Sequence, residues 1–272
     1  METTQIAIQT GRKRPYMLEI STQELPVRGL SEPCVIAHLT DLHAGFGNTE
    51  AVYEEAIARV NAAQPDYVLF TGDYIDDHAR QADYPIEQVL ARFRARRGVF
   101  GVFGNHDHRR GVSGILRKLE RANVTVLNNR HVQLENGLYL AGIDDLEEGE
   151  PDMARALQGL PPDRTSMVLS HNPRLIERVQ GDYLILSGHT HGGQITLPYV
   201  LTGKVVCWLH LRCRQVAGWY HNGRAREYVN RGVGVTGEPF RLNCPAEVAL
   251  FRLVPDPLAV QTARMQEEPV LA

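Results

Sequence analysis

The chain has 272 residues, 43% of them hydrophobic and 22% charged, the proportions of an ordinary globular protein with enough length to bury a sizeable core. A balance of 29 Lys and Arg against 32 Asp and Glu leaves a formal charge of −3, which excludes the strongly basic footprint of a nucleic-acid or anionic-membrane binder. No apolar run approaches the ~20 residues that cross a bilayer, and Met1 to Arg14 carries no signal-peptide core. Cys34, Cys207, Cys213 and Cys244 show no CxxC spacing, so buried or idle thiols are expected rather than a disulfide framework. An unprocessed, cytoplasmic chain is the expectation.

Short apolar runs alternate with helical patterns, which indicates an α/β architecture. Residues 35–40 read as a strand running into Asp41-Leu42-His43, and Thr49 is placed to cap a helix with Val52, Ala56 and Val60 on one face, ending before Pro65. Residues 67–71 and 98–103 read as further strands, and 86–96 and 115–122 as helices. Asn136-Gly137 predicts a type I′ turn joining 132–134 to 138–141. Runs at 167–170 and 183–187 lead into His171 and into Gly188-His189-Thr190-His191. Asn222-Gly223 predicts a turn from 218–221 onto 227–230, and 247–253 is the last strand. Residues 1–254 are expected to form one domain, with 255–272 as a loose tail.

Five of these strands end in Asp, His or Asn. Strand ends in α/β folds are where loops build sites on a rigid scaffold, so the polar residues there are expected to form one composite site. They are Asp41, His43, Asp73, Asn105, His106, Asp107, His171, His189 and His191. Oxygen and imidazole donors without thiolate suit Mn, Fe, Co or Zn. There are more donors than one tetrahedral ion needs, so two divalent ions are expected. A pair of ions ~3.5–4 Å apart serves in-line displacement at phosphorus.

Asp41-Leu42-His43, Gly72-Asp73-Tyr74-Ile75-Asp76, Gly104-Asn105-His106-Asp107, His171 and Gly188-His189-Thr190-His191 together resemble the signature of the calcineurin-like metallophosphoesterases. Gly192-Gly193-Gln194 and the run from Tyr228 to Gly234 are similar to one branch, which contains bacterial phosphodiesterases and UDP-diacylglucosamine pyrophosphatases. The resemblance covers about residues 16–254 and implies a four-layer α/β/β/α sandwich with a dimetal site at one edge of the sheets. It implies that Asp41, His43, Asp73 and His191 hold the first ion, and that a bridging Asp73 with Asn105, His171 and His189 holds the second. It leaves His106 as general acid or transition-state stabiliser, its tautomer fixed by Asp107, opposite a metal-bridging hydroxide. Manganese is the first expectation for both ions, with Fe, Zn or Co as alternatives.

Each of these residues also has a plainer explanation. Asp41 alone is a helix cap and Asp73 alone a turn residue. Asp76 and Asp77 read equally as partners of metal-bound imidazoles and as a solvated turn. Gly72, Gly104 and Gly188 read equally as turns that aim the next residue and as loop punctuation. His38, His78, His108, His131, His210 and His221 are read as structural or surface residues, and Arg109 and Arg110 as exposed. Residues 205–214 are either a packed apolar run or a wall of the site bearing Trp208, Arg212 and Arg214. The expected function is hydrolysis of a small-molecule phosphodiester or nucleotide-type pyrophosphate, with a cyclic-nucleotide phosphodiesterase as the alternative among enzymes. A non-catalytic scaffold binding a protein partner is the alternative. No specific nucleic acid and no transmembrane segment are expected, while peripheral membrane contact stays open.

Overall fold

The computed structural model describes residues 4–6, 17–47, 49–79, 84–196 and 211–256. Its first sheet has seven strands in the order β1 (Thr4–Ile6), β2 (Leu18–Val27), β13 (Ala246–Pro255), β3 (Cys34–Leu39), β4 (Tyr67–Phe70), β5 (Gly98–Gly101) and β6 (Thr125–Val126). The second has six, ordered β11 (Gly218–Asn222), β12 (Ala225–Val229), β10 (Tyr183–Ser187), β9 (Ser166–Leu169), β8 (Tyr139–Gly142) and β7 (Arg130–Gln133). Strands β3 to β6 are mutually parallel, as are β8, β9, β10 and β12. The C-terminal ends of the parallel strands in each sheet therefore point the same way.

Alternation along each strand sorts side chains into three apolar layers. Ile36, Tyr67 and Leu69 of the first sheet meet Met167, Leu169, Leu184 and Leu186 of the second in a core between the sheets. The intervening Leu39, Val68 and Phe70 pack under α1 (Glu50–Ala63), α2 (Ile86–Leu90) and α4 (Val112–Arg121). Val168 and Ile185 pack under α5 (Met153–Leu157) and a 3₁₀ turn at Pro173–Glu177. Central strands are buried on both faces, which is why they read as continuous apolar runs. The four layers match the expected sandwich. Among the described residues no helix is long and apolar enough to cross a membrane.

Several local expectations are corrected. The helix expected over 86–96 stops at Leu90, because the amides of Arg96 and Arg97 leave it to bond the carbonyls of Pro65 and Asp66. Thr49 makes no side-chain cap bond, and α4 starts at Val112, ahead of Ile115. Asn136 does not adopt the positive φ that a type I′ turn requires; its Oδ1 accepts the Leu138 amide at 3.3 Å instead. The second hairpin pairs Asn222 with Ala225, so its two-residue loop is Gly223-Arg224 and not Asn222-Gly223. Strand β2 escaped the sequence because its run Leu-Glu-Ile-Ser-Thr-Gln-Glu-Leu-Pro-Val is half-exposed and charged near the sheet edge. Strand β13 reaches Pro255, and residues 257–272 lie outside the described residues.

Phe251 of β13 is fully buried between the sheets, its ring 5.3 Å from that of Tyr228 and 6.2 Å from that of Trp219. Phe251→Ala is expected to cost ~3–5 kcal/mol of unfolding free energy. Urea denaturation followed by tryptophan fluorescence checks this, and a loss below about 1 kcal/mol contradicts the inter-sheet core.

Candidate metal centre

The strand ends of both sheets meet at one edge. Asp41 and His43 follow β3, Asp73 follows β4, and Asn105 opens α3 (Asn105–Arg110) just after β5. His171 follows β9, and His189 and His191 follow β10. Eleven non-glycine residues among those described have positive φ, and five of them are Asp41, His43, Asp73, His189 and His191. Such conformations are sparsely populated outside glycine, and surrounding contacts must hold them. Gly104 and Gly188 matter here through close approach. A Cβ on Gly104 would run into the Asp73 carboxylate, and one on Gly188 into that of Asp41.

All seven expected ligands come together at this edge, and the ligand atoms of Asp41, Asp73 and His171 lie within 4.8 Å of one another. Asp73 Oδ2 lies 3.4 Å from His43 Nε2 and 3.2 Å from His171 Nε2. On one side of it, His191 Nε2 stands 3.3 Å from Asp41 Oδ1 and 3.0 Å from His43 Nε2. On the other, Asn105 Oδ1 is 3.0 Å from His171 Nε2 and 3.1 Å from His189 Nδ1. All seven residues are buried. His171 donates its far nitrogen, Nδ1, to the Thr71 carbonyl at 2.7 Å, and His43 Nδ1 lies 3.0 Å from Asp76 Oδ2. A carbonyl and a carboxylate accept only, so the outer nitrogen of each ring carries a proton and Nε2 is the nitrogen turned inward, the one that would meet a cation. The donor set fits one shared carboxylate between two groups of ligands for divalent cations.

The electrostatics show what the cluster demands. Burial opposes charge on every ring, yet contact with Asp41 and Asp76 and the charge of Asp73 raise His43 to about 10. His171 is likewise raised despite burial, chiefly by Asp73. Burial wins at His189, lowered to about 3, with the His171 charge adding to it, and at His191, lowered to about 4. The carboxylates of Asp41 and Asp73, although buried, are held well below their ordinary range by the neighbouring imidazoles, led by His191 and His171 respectively. Two carboxylates thus hold positive charge between them.

His106 and Asp107 depart from expectation. The His106 ring lies beside the cluster, 4.6 Å from that of His43, and its backbone amide donates to Asp73 Oδ1 at 2.9 Å. The expected partner of its ring, Asp107, faces elsewhere. Asp107 Oδ2 accepts the amides of Asp73 (2.8 Å) and Gly104 (2.9 Å), and Oδ1 that of Tyr74 (3.0 Å). It clamps the β4 turn to the β5 turn. The carboxylate facing His106 Nδ1 is Asp77 Oδ1, at 2.8 Å. Burial lowers the His106 imidazole, while Asp73, Asp77 and Asp76 pull it back up.

Asp76 and Asp77, ambiguous in the sequence, therefore face His43 and His106. Thr71, Thr40 and Glu147 were missed, since single contacts to a ligand leave no spacing signal. Thr40 Oγ1 donates to Asp41 Oδ2 at 2.7 Å, and Glu147 Oε2 is 3.8 Å from His189 Nε2. His38 is buried with Nε2 2.9 Å from Thr71 Oγ1, His108 pairs with Asp144 at 2.7 Å, and His131 bonds the Ala156 carbonyl at 2.9 Å. His78 and His221 are exposed. Arg109 pairs with Asp77 and Glu148, and Arg110 donates to the Asp76 carbonyl. His210 and the 205–210 part of the apolar run, with Trp208, lie outside the described residues; Arg212 and Arg214 are exposed.

A model of the calcineurin-like phosphoesterase family matches residues 34–193. An uncharacterized metallophosphoesterase of Helicobacter pylori strain J99 is 32% identical over 242 residues, covering 83% of this chain and 61% of the relative. One from Campylobacter jejuni is 31% identical over 256 residues, covering 91% and 65%. The metallophosphoesterase YkuE of Bacillus subtilis is 33% identical over 233 residues, covering 80% and 78%. The chain spans less than two thirds of the length of the first two.

The two neighbouring aspartates have different jobs, which stability separates. Asp107→Ala strands three buried amides at ~1–3 kcal/mol each and is expected to cost at least ~3 kcal/mol. Asp77→Ala, at a partly exposed contact, is expected to cost about 1 kcal/mol or less. Paired chemical denaturation curves check the order, and equal losses contradict it.

Proposed function

The chain belongs to the calcineurin-like phosphoesterase family, and from that premise we propose that it hydrolyses phosphodiesters or nucleotide-type pyrophosphates with two divalent cations, manganese first, with Fe, Zn or Co able to replace it. The observation that carries this is Asp73 Oδ2, set between two inward-facing imidazole nitrogens that belong to two separate ligand groups. Asp41, His43 and His191 would hold one cation and Asn105, His171 and His189 the other, with Asp73 shared. When bound, such a pair supplies positive charge to phosphoryl oxygens and acidifies water.

The remaining roles fall to side chains outside the ligand set. His106 stands at the rim of the cluster, and the Asp77 carboxylate facing Nδ1 stabilises the imidazolium. Nε2 can then give its proton to the leaving oxygen. Asp107 acts on the chemistry only through the backbone, by holding the Asp73 turn and the Asn105–His106 turn together. A non-catalytic scaffold would tolerate a broken ligand set; here all seven donors face one another. A diester or pyrophosphate is preferred over a monoester because the branch that the sequence resembles contains such enzymes, and because a second substituent offers more surface to bind.

Two measurements test the proposal. Metal-free protein is expected to be inactive on a panel of phosphoesters and to regain activity with Mn²⁺ at least as well as with Mg²⁺. Elemental analysis should give two ions per chain, both lost in Asp73→Ala; one ion at full activity sinks the shared-carboxylate assignment. A phosphomonoester cleaved with clearly higher kcat/KM than every diester and pyrophosphate overturns the substrate class. His106→Asn should keep its ions and lose ~10²–10⁴-fold in rate, more on an alkyl than on a nitrophenyl ester. Equal losses on both esters remove the proton-donor role.

A further inference from the structure

Arg241 lies between β12 and β13 with its side chain turned inward. It is 7% exposed, although its neighbours Phe240 and Leu242, at 42% and 40%, are the large apolar side chains that face solvent among the described residues. Its guanidinium reaches two separate pieces of backbone. Nε donates to the Gly234 carbonyl at 3.0 Å, and Nη2 to those of Gly234 (2.7 Å), Arg231 (2.7 Å) and Gly232 (3.2 Å). Nη1 donates to the His191 carbonyl at 3.1 Å, and Nη2 lies 3.3 Å from His191 Nδ1. Nη1 is also 3.9 Å from Cys244 Sγ, which itself donates to the His191 carbonyl at 3.2 Å.

The first piece is the glycine turn that backs Asp41. The Val233 amide bonds the Thr40 carbonyl at 3.1 Å, and the Gly234 amide bonds that of Asp41 at 2.7 Å. The turn presses so closely that a Cβ on Gly232 would stand 2.7 Å from Asp41 Cβ, and one on Gly234 would overlap the Leu42 carbonyl. The second piece is the strap carrying His191. Arg241 therefore bridges the wall behind Asp41 to the backbone and ring of His191, whose Nε2 is 3.3 Å from Asp41 Oδ1. An apolar side chain could fill this volume without desolvating a charge; what the guanidinium adds is a rigid fork of donors at fixed spacing.

The other ligand group is anchored differently. His171 hangs on the Thr71 carbonyl, and the Asp73 and Asn105 turns on Asp107, while His189 is tied to the first group by its amide, which donates to Asp41 Oδ2 at 2.9 Å. None of those anchors is shared with the guanidinium contacts given above.

We propose that Arg241 is a positioning residue that sets the spacing of Asp41 and His191, and thereby the affinity of the cation position they share, the other position being linked to it through the His189 amide on Asp41. The proposal rests on the two-cation reading of the site. Metal-free wild type, Arg241→Lys, Arg241→Gln and Arg241→Ala would be titrated with Mn²⁺ by calorimetry, with electron paramagnetic resonance reporting the coupled ion pair and circular dichroism reporting the fold. The variants are expected to bind one Mn²⁺ ~10–100-fold more weakly, to weaken the other by a smaller factor, and to lose the coupled-pair signal. Guanidinium ion added to Arg241→Ala is expected to restore the more weakened ion at least in part. Two ions at wild-type affinity in a folded variant overturn the proposal, as do equal losses at both positions or failure of all three variants to fold, since these mark a general structural role. A wild type that binds fewer than two ions instead overturns the two-cation reading itself.

Discussion

Two buried carboxylates, Asp41 and Asp73, stand at the ends of adjacent strands, and the site around them is arranged as an answer to their charge. A carboxylate taken out of water needs opposite charge or several donors close by. Asp41 receives the Thr40 hydroxyl and the His189 amide, the latter at 2.9 Å to Oδ2, and Asp73 receives the His106 amide. Neither set neutralises a full charge, and both groups hold imidazoles in or toward the protonated state. A cation bound among these carboxylates and imidazoles would displace protons from the rings, so its binding would be linked to pH.

Bringing the donors inward also needs backbone conformations that ordinary loops avoid. Asp41, His43, Asp73, His189 and His191 all have positive φ, and each such residue costs up to ~1–3 kcal/mol that neighbouring contacts must offset. The amide bonds to Asp107 hold the Asp73 turn, and the Gly234 and Val233 amides hold the Asp41 segment from behind. His43 is held by its own amide on the Asp73 carbonyl at 3.0 Å. The turns brace one another. Asp107 belongs to this bracing and not to proton transfer, which explains why a side chain next to His106 in sequence faces away from its ring.

The legible parts of the sequence were those where one local pattern carries the information. Apolar runs ending in Asp, His or Asn located β3, β4, β5, β9 and β10 and the seven residues that the fold gathers at one edge, because strands buried on both faces leave an unbroken apolar signature. Strand β2 left none, since its half-exposed face is filled with Glu, Ser, Thr and Gln. The assignment of Asp107 to His106 failed because adjacency in sequence does not say which way a side chain turns at the start of a helix. Asp77 and Arg241 take their meaning from contacts 29 and 50 residues away, His106 and His191, and no spacing rule in a single chain reports such pairs.

The division of the site between the sheets has a further consequence. Asp41, His43, Asp73 and Asn105 come from the first sheet, while His171, His189 and His191 come from the second. Neither sheet holds a complete group of the proposed ligands, so both proposed cation positions would depend on the two sheets being packed face to face. The apolar layer of Ile36, Leu69, Leu169, Leu186 and Phe251 between them is therefore part of the site's geometry. Core packing that holds at atomic density transmits a shift rather than absorbing it. A cavity in that layer and a bound cation at its edge act on the same equilibrium from opposite ends, because a ligand that binds only the docked sheets stabilises the docking by mass action. On the proposed assignment, cation affinity and inter-sheet stability would be one coupled quantity.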